Sequence, residues 1–225
     1  MNGDPPLAPA GRGPAPEPQG HDMSTRHLDL GCGARPRNPY GRDELHGVDI
    51  MQTAFQGHEM RVANVALSAI PYPDDHFDSV SAYDFLEHVP RVLPTPDGTR
   101  TRFPFVELMN EIWRVLRDGG LFYGYTPAYP HTMAFRDPTH VNIITDDSQY
   151  YFVRPHFLAR MYGYRGDFSV VRQLRVKGGD FDYEPTEPPT LRRRLRLRRQ
   201  ERRGELSHLV WEWRAHKPGG ADTRG

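Results

Sequence analysis

Three things are scarce in this 225-residue chain: cysteine, lysine and long apolar runs. Cys32 is the single cysteine, so no internal disulfide is available, and a reducing, cytoplasmic compartment is the expectation. Lys177 and Lys217 are the only lysines; arginine carries the remaining positive charge, which reads as GC-rich codon usage rather than function. No apolar run approaches a membrane span, and the N-terminus lacks the apolar centre of a signal peptide, so no membrane partner is expected. Net charge is zero, which removes a global attraction to nucleic acid. What remains is a globular composition, 37% hydrophobic and 26% charged, with a mean hydropathy of −0.72. The length suits one domain with one core.

The most informative run is His27-Leu28-Asp29-Leu30-Gly31-Cys32-Gly33, followed by His46-Gly47-Val48-Asp49-Ile50. It reads as a buried strand, a glycine turn and a second strand tipped by an acid, the layout that holds a nucleoside across the carboxyl ends of parallel strands. Glycine lets the backbone approach a ligand closely. Asp49 can accept from both ribose hydroxyls. A dinucleotide turn would need a third glycine or alanine; Pro36 occupies that place, with Pro39 behind it. Proline offers no N–H and adds a ring, which argues against a pyrophosphate at a helix start.

Residues 1–24 are rich in Pro, Gly and Ala and read as a disordered tail, 25–217 as the folded domain and 218–225 as a flexible end. Strands are expected at about 26–30, 46–50, 60–63, 77–83 and 121–125, with a turn at Pro71–His76. Val106, Met109, Ile112, Trp113 and Leu116 fall at helical spacing, with Gly119-Gly120 as the expected C-cap. A further helix is expected over Asp146–Tyr162, interrupted at Pro155. Residues 167–177 and 205–216 alternate as an antiparallel strand pair.

Asp29-x-Gly31-x-Gly33 resembles the first motif of the class I S-adenosylmethionine-dependent methyltransferases. Three more segments resemble that family in order: Leu67–Asp78, Asp84-Phe85-Leu86-Glu87-His88-Val89 and Leu116-Arg117-Asp118-Gly119-Gly120. The resemblance spans roughly residues 26–126. It implies an α/β, Rossmann-like fold with a mostly parallel seven-stranded sheet, an antiparallel edge pair and helices on both faces. It also implies S-adenosyl-L-methionine as cofactor, held by Asp29, Gly31, Cys32, Gly33, Asp49, Ile50, Asn64 and Tyr83. One departure stands out. The acid expected after strand three to contact adenine is absent, and Asn64 is the nearest polar side chain, an amide able to donate and accept. The helix that many members place before the first motif is not recognisable. That suggests an open site for a second subunit, as in a homo-oligomer, or a large acceptor to complete.

The segment His131–Asn142, containing Phe135-Arg136-Asp137-Pro138-Thr139-His140, resembles loops of bacterial methyltransferases with unassigned substrates. Two readings stand: a loop wired by Asp137 and Asn142, or the wall of an acceptor pocket containing His131, Arg136 and Asp137. His88 and His140 are the candidate general bases; either is equally readable as structural. Arg136 could bind an acidic acceptor or pair with Asp137. His131, Asp137, His140, Asp146 and Asp147 lie close in sequence, but no His-x-x-x-His or paired-cysteine spacing occurs, so no metal ligands are assigned, although a magnesium ion stays open. The arginine run Leu191–Arg203 reads as a solvated helix balanced by acids upstream, or as an RNA or anionic-surface contact. The expected activity is methyl transfer to a small-molecule, natural-product or sugar acceptor. The alternatives are a non-catalytic cofactor-binding module, a different enzyme using the same pocket, and an RNA methyltransferase.

Overall fold

The computed structural model describes residues 24–52, 59–179 and 190–219. All but Ser24 of the expected N-terminal tail, all but two residues of the expected C-terminal tail, residues 53–58 and the acids upstream of the arginine run lie outside the described residues.

Seven strands form one sheet: β1 (Arg26–Leu30), β2 (Glu44–Asp49), β3 (Glu59–Val62), β4 (Phe77–Tyr83), β5 (Leu116–Pro127), β6 (Phe168–Val176) and β7 (His208–Ala215). Their order is β3-β2-β1-β4-β5-β7-β6, with β3 through β5 mutually parallel and β7 antiparallel to both neighbours. This is the mostly parallel, Rossmann-like sheet with an antiparallel edge pair. All parallel strands deliver their carboxyl ends to one edge, where loops carry chemistry. Among the described residues no helix is long and apolar enough to cross a membrane.

Register divides the sheet into two unlike faces. Leu28 lies beside Val80, Val80 beside Phe122, and Phe122 beside Trp213. These form the apolar face, and the helix α1 (Pro104–Val115) packs on it through Phe105, Met109 and Ile112. Pro104 stands at the first helical turn, where its missing N–H costs nothing and its fixed φ favours the helix. The opposite face carries Asp29, Ser81, Tyr83, Tyr123 and Glu212, and the irregular segment 31–43 lies over it through Tyr40. Pro36 and Pro39 punctuate that segment.

Two expectations of local structure are corrected. Gly119-Gly120 does not cap α1. The helix ends at Val115, Leu116 is already extended and pairs with Phe77, and Leu121 pairs with Ser79, so the intervening residues bulge from the strand with Gly119 at φ +73°. Asp146–Tyr162 is not an interrupted α-helix but two 3₁₀ turns, Asp146–Tyr151 and Leu158–Tyr162. Pro155 removes an amide between them, and Phe157 adopts a left-handed φ of 48°. The arginine run forms a helix as expected, α2 (Leu191–Arg202), started by Thr190, whose hydroxyl accepts from the Arg193 amide.

Candidate active site

The elbow after β1 is left-handed at both glycines, with φ +63° at Gly31 and +54° at Gly33. The amides of Gly31 and Cys32 donate to the Val48 carbonyl at 2.8 and 3.4 Å, and the Gly33 amide donates to Asp49 Oδ2 at 2.8 Å. The elbow's donors are therefore spent within the protein. What it offers a ligand is acceptors: turn carbonyls and the Asp49 carboxylate, whose other oxygen takes the Met51 amide at 2.9 Å. Each carboxylate oxygen retains a lone pair. Acceptors suit ribose hydroxyls, an ammonium and a sulfonium; a pyrophosphate would need the donors that are absent. A Cβ at Gly31 would lie 2.7 Å from the Phe85 ring, so the elbow and the turn after β4 are in contact.

Asp29 is placed differently from the expectation of a ligand-facing acid. It is fully buried, and its two oxygens accept from the Ser81 hydroxyl at 2.6 Å and the Arg37 amide at 2.8 Å. It pins the loop over the elbow, with both oxygens buried. Cys32 is likewise buried, its thiol pushed up to about 12 by burial, which makes it a packing group. Ile50 is exposed just past Asp49, and with Met51 it forms an apolar shelf at the tip of β2. Asn64 follows β3; its carbonyl accepts from the amides of Leu67 and Ser68, and its side chain makes no hydrogen bond among the described residues. Tyr83 is buried under the Arg37 guanidinium, 4.5 Å from the ring centroid.

A directed chain of hydrogen bonds runs beneath the elbow. Arg42 Nε donates to Ser79 Oγ at 3.4 Å, His27 Nδ1 meets Ser79 Oγ at 2.8 Å, and His27 Nε2 meets Ser81 Oγ at 2.8 Å. With Asp29 ionised, Ser81 spends its proton on Asp29, so His27 Nε2 must donate to Ser81 and Nδ1 must accept from Ser79. Burial brings the His27 imidazole down to about 3 and pushes the Asp29 carboxyl up to about 7.

Beside the elbow, at the tips of β4, β5 and β7, a cavity of about 820 Å³ opens. All five residues expected for chemistry or acceptor contact line it: His88, His131, Arg136, Asp137 and His140. Both readings of the loop are realised in geometry. Asp137 takes the amide and hydroxyl of Thr139 at 2.8 and 2.7 Å, and Asn142 Nδ2 donates to the Leu86 carbonyl at 3.0 Å. Asp137 is engaged with Thr139, and no Arg136–Asp137 ion pair occurs among the described residues. The Thr139 hydroxyl also meets His88 Nδ1 at 2.9 Å. His131 Nδ1 takes the Met133 amide at 3.1 Å, a local turn. Asp146 lies elsewhere, paired with Arg175 at 2.7 Å, and Asp147 lines a separate aromatic cavity.

The cavity wall also carries ionisable residues that were not expected there: Asp84, Glu87, Lys177, Glu205 and His208. His208 is opposite Pro127 because β7 runs antiparallel, and its Nε2 meets Asp84 Oδ1 at 3.1 Å. Glu87 is 2% exposed, with Oε2 accepting from Thr126 at 2.9 Å, and burial pushes its carboxyl up to about 8. The His88 and His140 rings lie edge to face, centroids 4.9 Å apart.

The family described as a methyltransferase domain matches residues 28–124, from β1 into β5. No curated protein matches the sequence. Among solved structures, the chain is similar to a chain of the Haloferax volcanii complex between the Trm112 methyltransferase activator and a methyltransferase. Identity there is 18%, over 86% of this chain and 84% of that one, with a TM-score of 0.53. It is also similar to the [4+2]-cyclase SpnF, at 17% identity over 87% and 76% of the two chains and a TM-score of 0.51. YcgJ from Bacillus subtilis matches at 16% identity over 87% and 93%, with a TM-score of 0.50. At these identities the likeness is one of fold. Residues 28–124, which match a methyltransferase domain, carry the elbow and the acid-tipped second strand, an acceptor-rich cradle suited to S-adenosylmethionine.

Proposed function

We propose that the chain methylates a small molecule, a natural-product intermediate or sugar, seated in the cavity at the tips of β4, β5 and β7. One observation carries this reading. The turn after β4 faces both sites: Phe85 touches the elbow glycine, while Glu87 and His88 line the cavity. The elbow that would hold the cofactor and the cavity that would hold the acceptor thus share one wall. Its volume, about 820 Å³, falls within the size range of small-molecule pockets. Arg136 and Lys177 on its wall suit an acceptor with an acidic group.

S-adenosylmethionine supplies an already activated methyl group, so the chain's work is alignment and exclusion of water. Asp49 and the elbow carbonyls orient the nucleoside and its tail, and Ile50 supports the base. At the acceptor side, the Thr139 proton goes to Asp137, so His88 Nδ1 donates to Thr139 and Nε2 is left as the basic nitrogen. His88 is thereby oriented as the group that takes a proton from an acceptor hydroxyl or ammonium. Arg136 and His131 bind the acceptor's polar end.

The test is incubation of the intact chain with methyl-labelled cofactor and a panel of acidic hydroxyl and amine compounds, followed by mass spectrometry. The reading expects a gain of one CH2 on a small acceptor. It also expects His88→Ala to lower turnover about 100-fold or more while cofactor binding persists. Transfer to RNA or protein alone, or a product of unchanged mass, would contradict it.

A further inference from the structure

Glu87 and His88 sit in the 3₁₀ turn Leu86–His88, and His140 sits in the loop after β5. Each contributes one ligand-type atom, and these atoms lie within 4.8 Å of one another. We propose that Glu87, His88 and His140 bind a divalent transition cation, which offers its remaining coordination positions to paired oxygens of the acceptor, such as vicinal hydroxyls or a hydroxy-carboxylate. The cation site stands on the cluster's geometry. Only the acceptor half of the proposal rests on the cavity being the acceptor pocket.

Four observations carry it. First, Glu87 is 2% exposed, yet its Oε1 has no hydrogen-bond partner, and His140 Nε2, at 4.0 Å, is beyond hydrogen-bond reach. A buried, unpartnered carboxylate oxygen is costly unless something positive meets it. Second, His140 Nδ1 is also buried and unpartnered. Third, His88 already has the outer support that metal-bound histidines characteristically show. Thr139, backed by Asp137, holds Nδ1, leaving Nε2 with its lone pair for an ion. Fourth, the two segments are clamped together, because the amides of Val141 and Asn142 both donate to the Glu87 carbonyl at 2.9 Å. Closing the three atoms onto an ion takes about 1 Å of side-chain movement.

The donor set selects the ion. Two imidazoles and one carboxylate suit Mn2+, Fe2+, Co2+ or Zn2+ better than Mg2+ or Ca2+, which prefer all-oxygen shells. Three protein ligands leave positions open, and all three residues line the cavity. A bound ion would acidify a coordinated acceptor hydroxyl, whose proton would pass to solvent; the oxygen would then form the bond to the methyl carbon as the C–S bond breaks and S-adenosylhomocysteine leaves. His88 then holds the ion and no longer takes the proton itself.

The experiment uses the full chain without a histidine tag, stripped with chelator. Mn2+ is titrated and followed by the electron paramagnetic resonance of the free ion; Zn2+ is titrated by calorimetry. The expected result is one ion per chain. Glu87→Gln and His140→Ala should each weaken binding by more than about tenfold, Thr139→Val by about tenfold, and His156→Ala, on an exposed turn outside the cavity, not at all. Circular dichroism checks each variant's fold, and His140→Ala carries the test if Glu87→Gln does not fold. No stoichiometric binding, or binding unmoved by His140→Ala, overturns the site. Titration of S-adenosylmethionine into the same metal-free sample separates the two claims. Cofactor binding without ion binding sinks the cation site alone, and loss of cofactor binding sinks the methyltransferase reading.

Discussion

Asp29→Asn changes one atom's chemistry and should flatten the pH dependence of stability. The Asp29 carboxyl is fully buried and pushed up to about 7, chiefly by desolvation, with the Ser81 hydroxyl and Arg37 amide opposing the shift. In the unfolded chain it ionises near 3.8. Between those values the folded state keeps a proton that the unfolded state has released. Stability from this group is therefore full at low pH and is lost as pH rises, by about 2–3 kcal/mol between pH 5 and 8. Asparagine does not titrate, so its variant lacks that slope. The site can accept it. The amide oxygen takes the Arg37 N–H, and the NH2 donates to Ser81, which then donates to His27 Nε2. His27 shifts its proton to Nδ1, and Ser79 accepts. The bond chain reverses, and every heavy-atom pair along it keeps a hydrogen bond. Urea denaturation of both proteins at pH 5, 6, 7 and 8 gives the comparison. The difference between them should move in the variant's favour by about 2–3 kcal/mol over that range. Parallel curves would refute the reasoning, since other titrating groups are common to both proteins. Nitrogen chemical shifts of His27 should also show the tautomer change in the variant.

Two other substitutions probe the scaffold. Gly31→Ala forces a side chain into the left-handed region at φ +63° and against the Phe85 ring, so about 2 kcal/mol or more of stability should be lost in thermal unfolding, with cofactor affinity falling alongside. Trp213→Ala removes a fully buried ring packed on Phe122, Phe152 and Phe168, and denaturant unfolding should show a loss of about 3–5 kcal/mol without a change in the register of β7.

What was legible in the sequence was local. The β1 elbow and acid-tipped β2 declare themselves because glycine freedom, apolar runs and a terminal carboxylate are short-range signals, and the structure places Gly31, Gly33 and Asp49 together. The seven strands were found for the same reason. Boundaries governed by tertiary pairing were not. Leu116 leaves α1 because Phe77 pairs with it, and nothing within Leu116–Gly120 shows that. The 3₁₀ turns at 146–151 and 158–162 look helical by composition, yet Pro155 and a left-handed Phe157 divide them. The cavity mixes both kinds of signal. His131, Arg136, Asp137 and His140 come from one loop and could be read as a group. Glu87 meets His140 only because main-chain bonds join two distant segments, and His208 arrives through an antiparallel register. Asp29 shows what a sequence pattern does not display: it is fully buried, and its carboxylate anchors the loop over the elbow through the Arg37 amide.

The central claim is that the elbow after β1 and the Asp49 carboxylate cradle S-adenosylmethionine. Calorimetric titration of the intact chain with S-adenosylmethionine and with S-adenosylhomocysteine tests it directly, beside Asp49→Ala. One site per chain is expected for both ligands, weakened about 10- to 100-fold in the variant by loss of hydrogen bonds to a charged acceptor. Absence of binding heat at millimolar ligand, or equal affinity in Asp49→Ala, would contradict it.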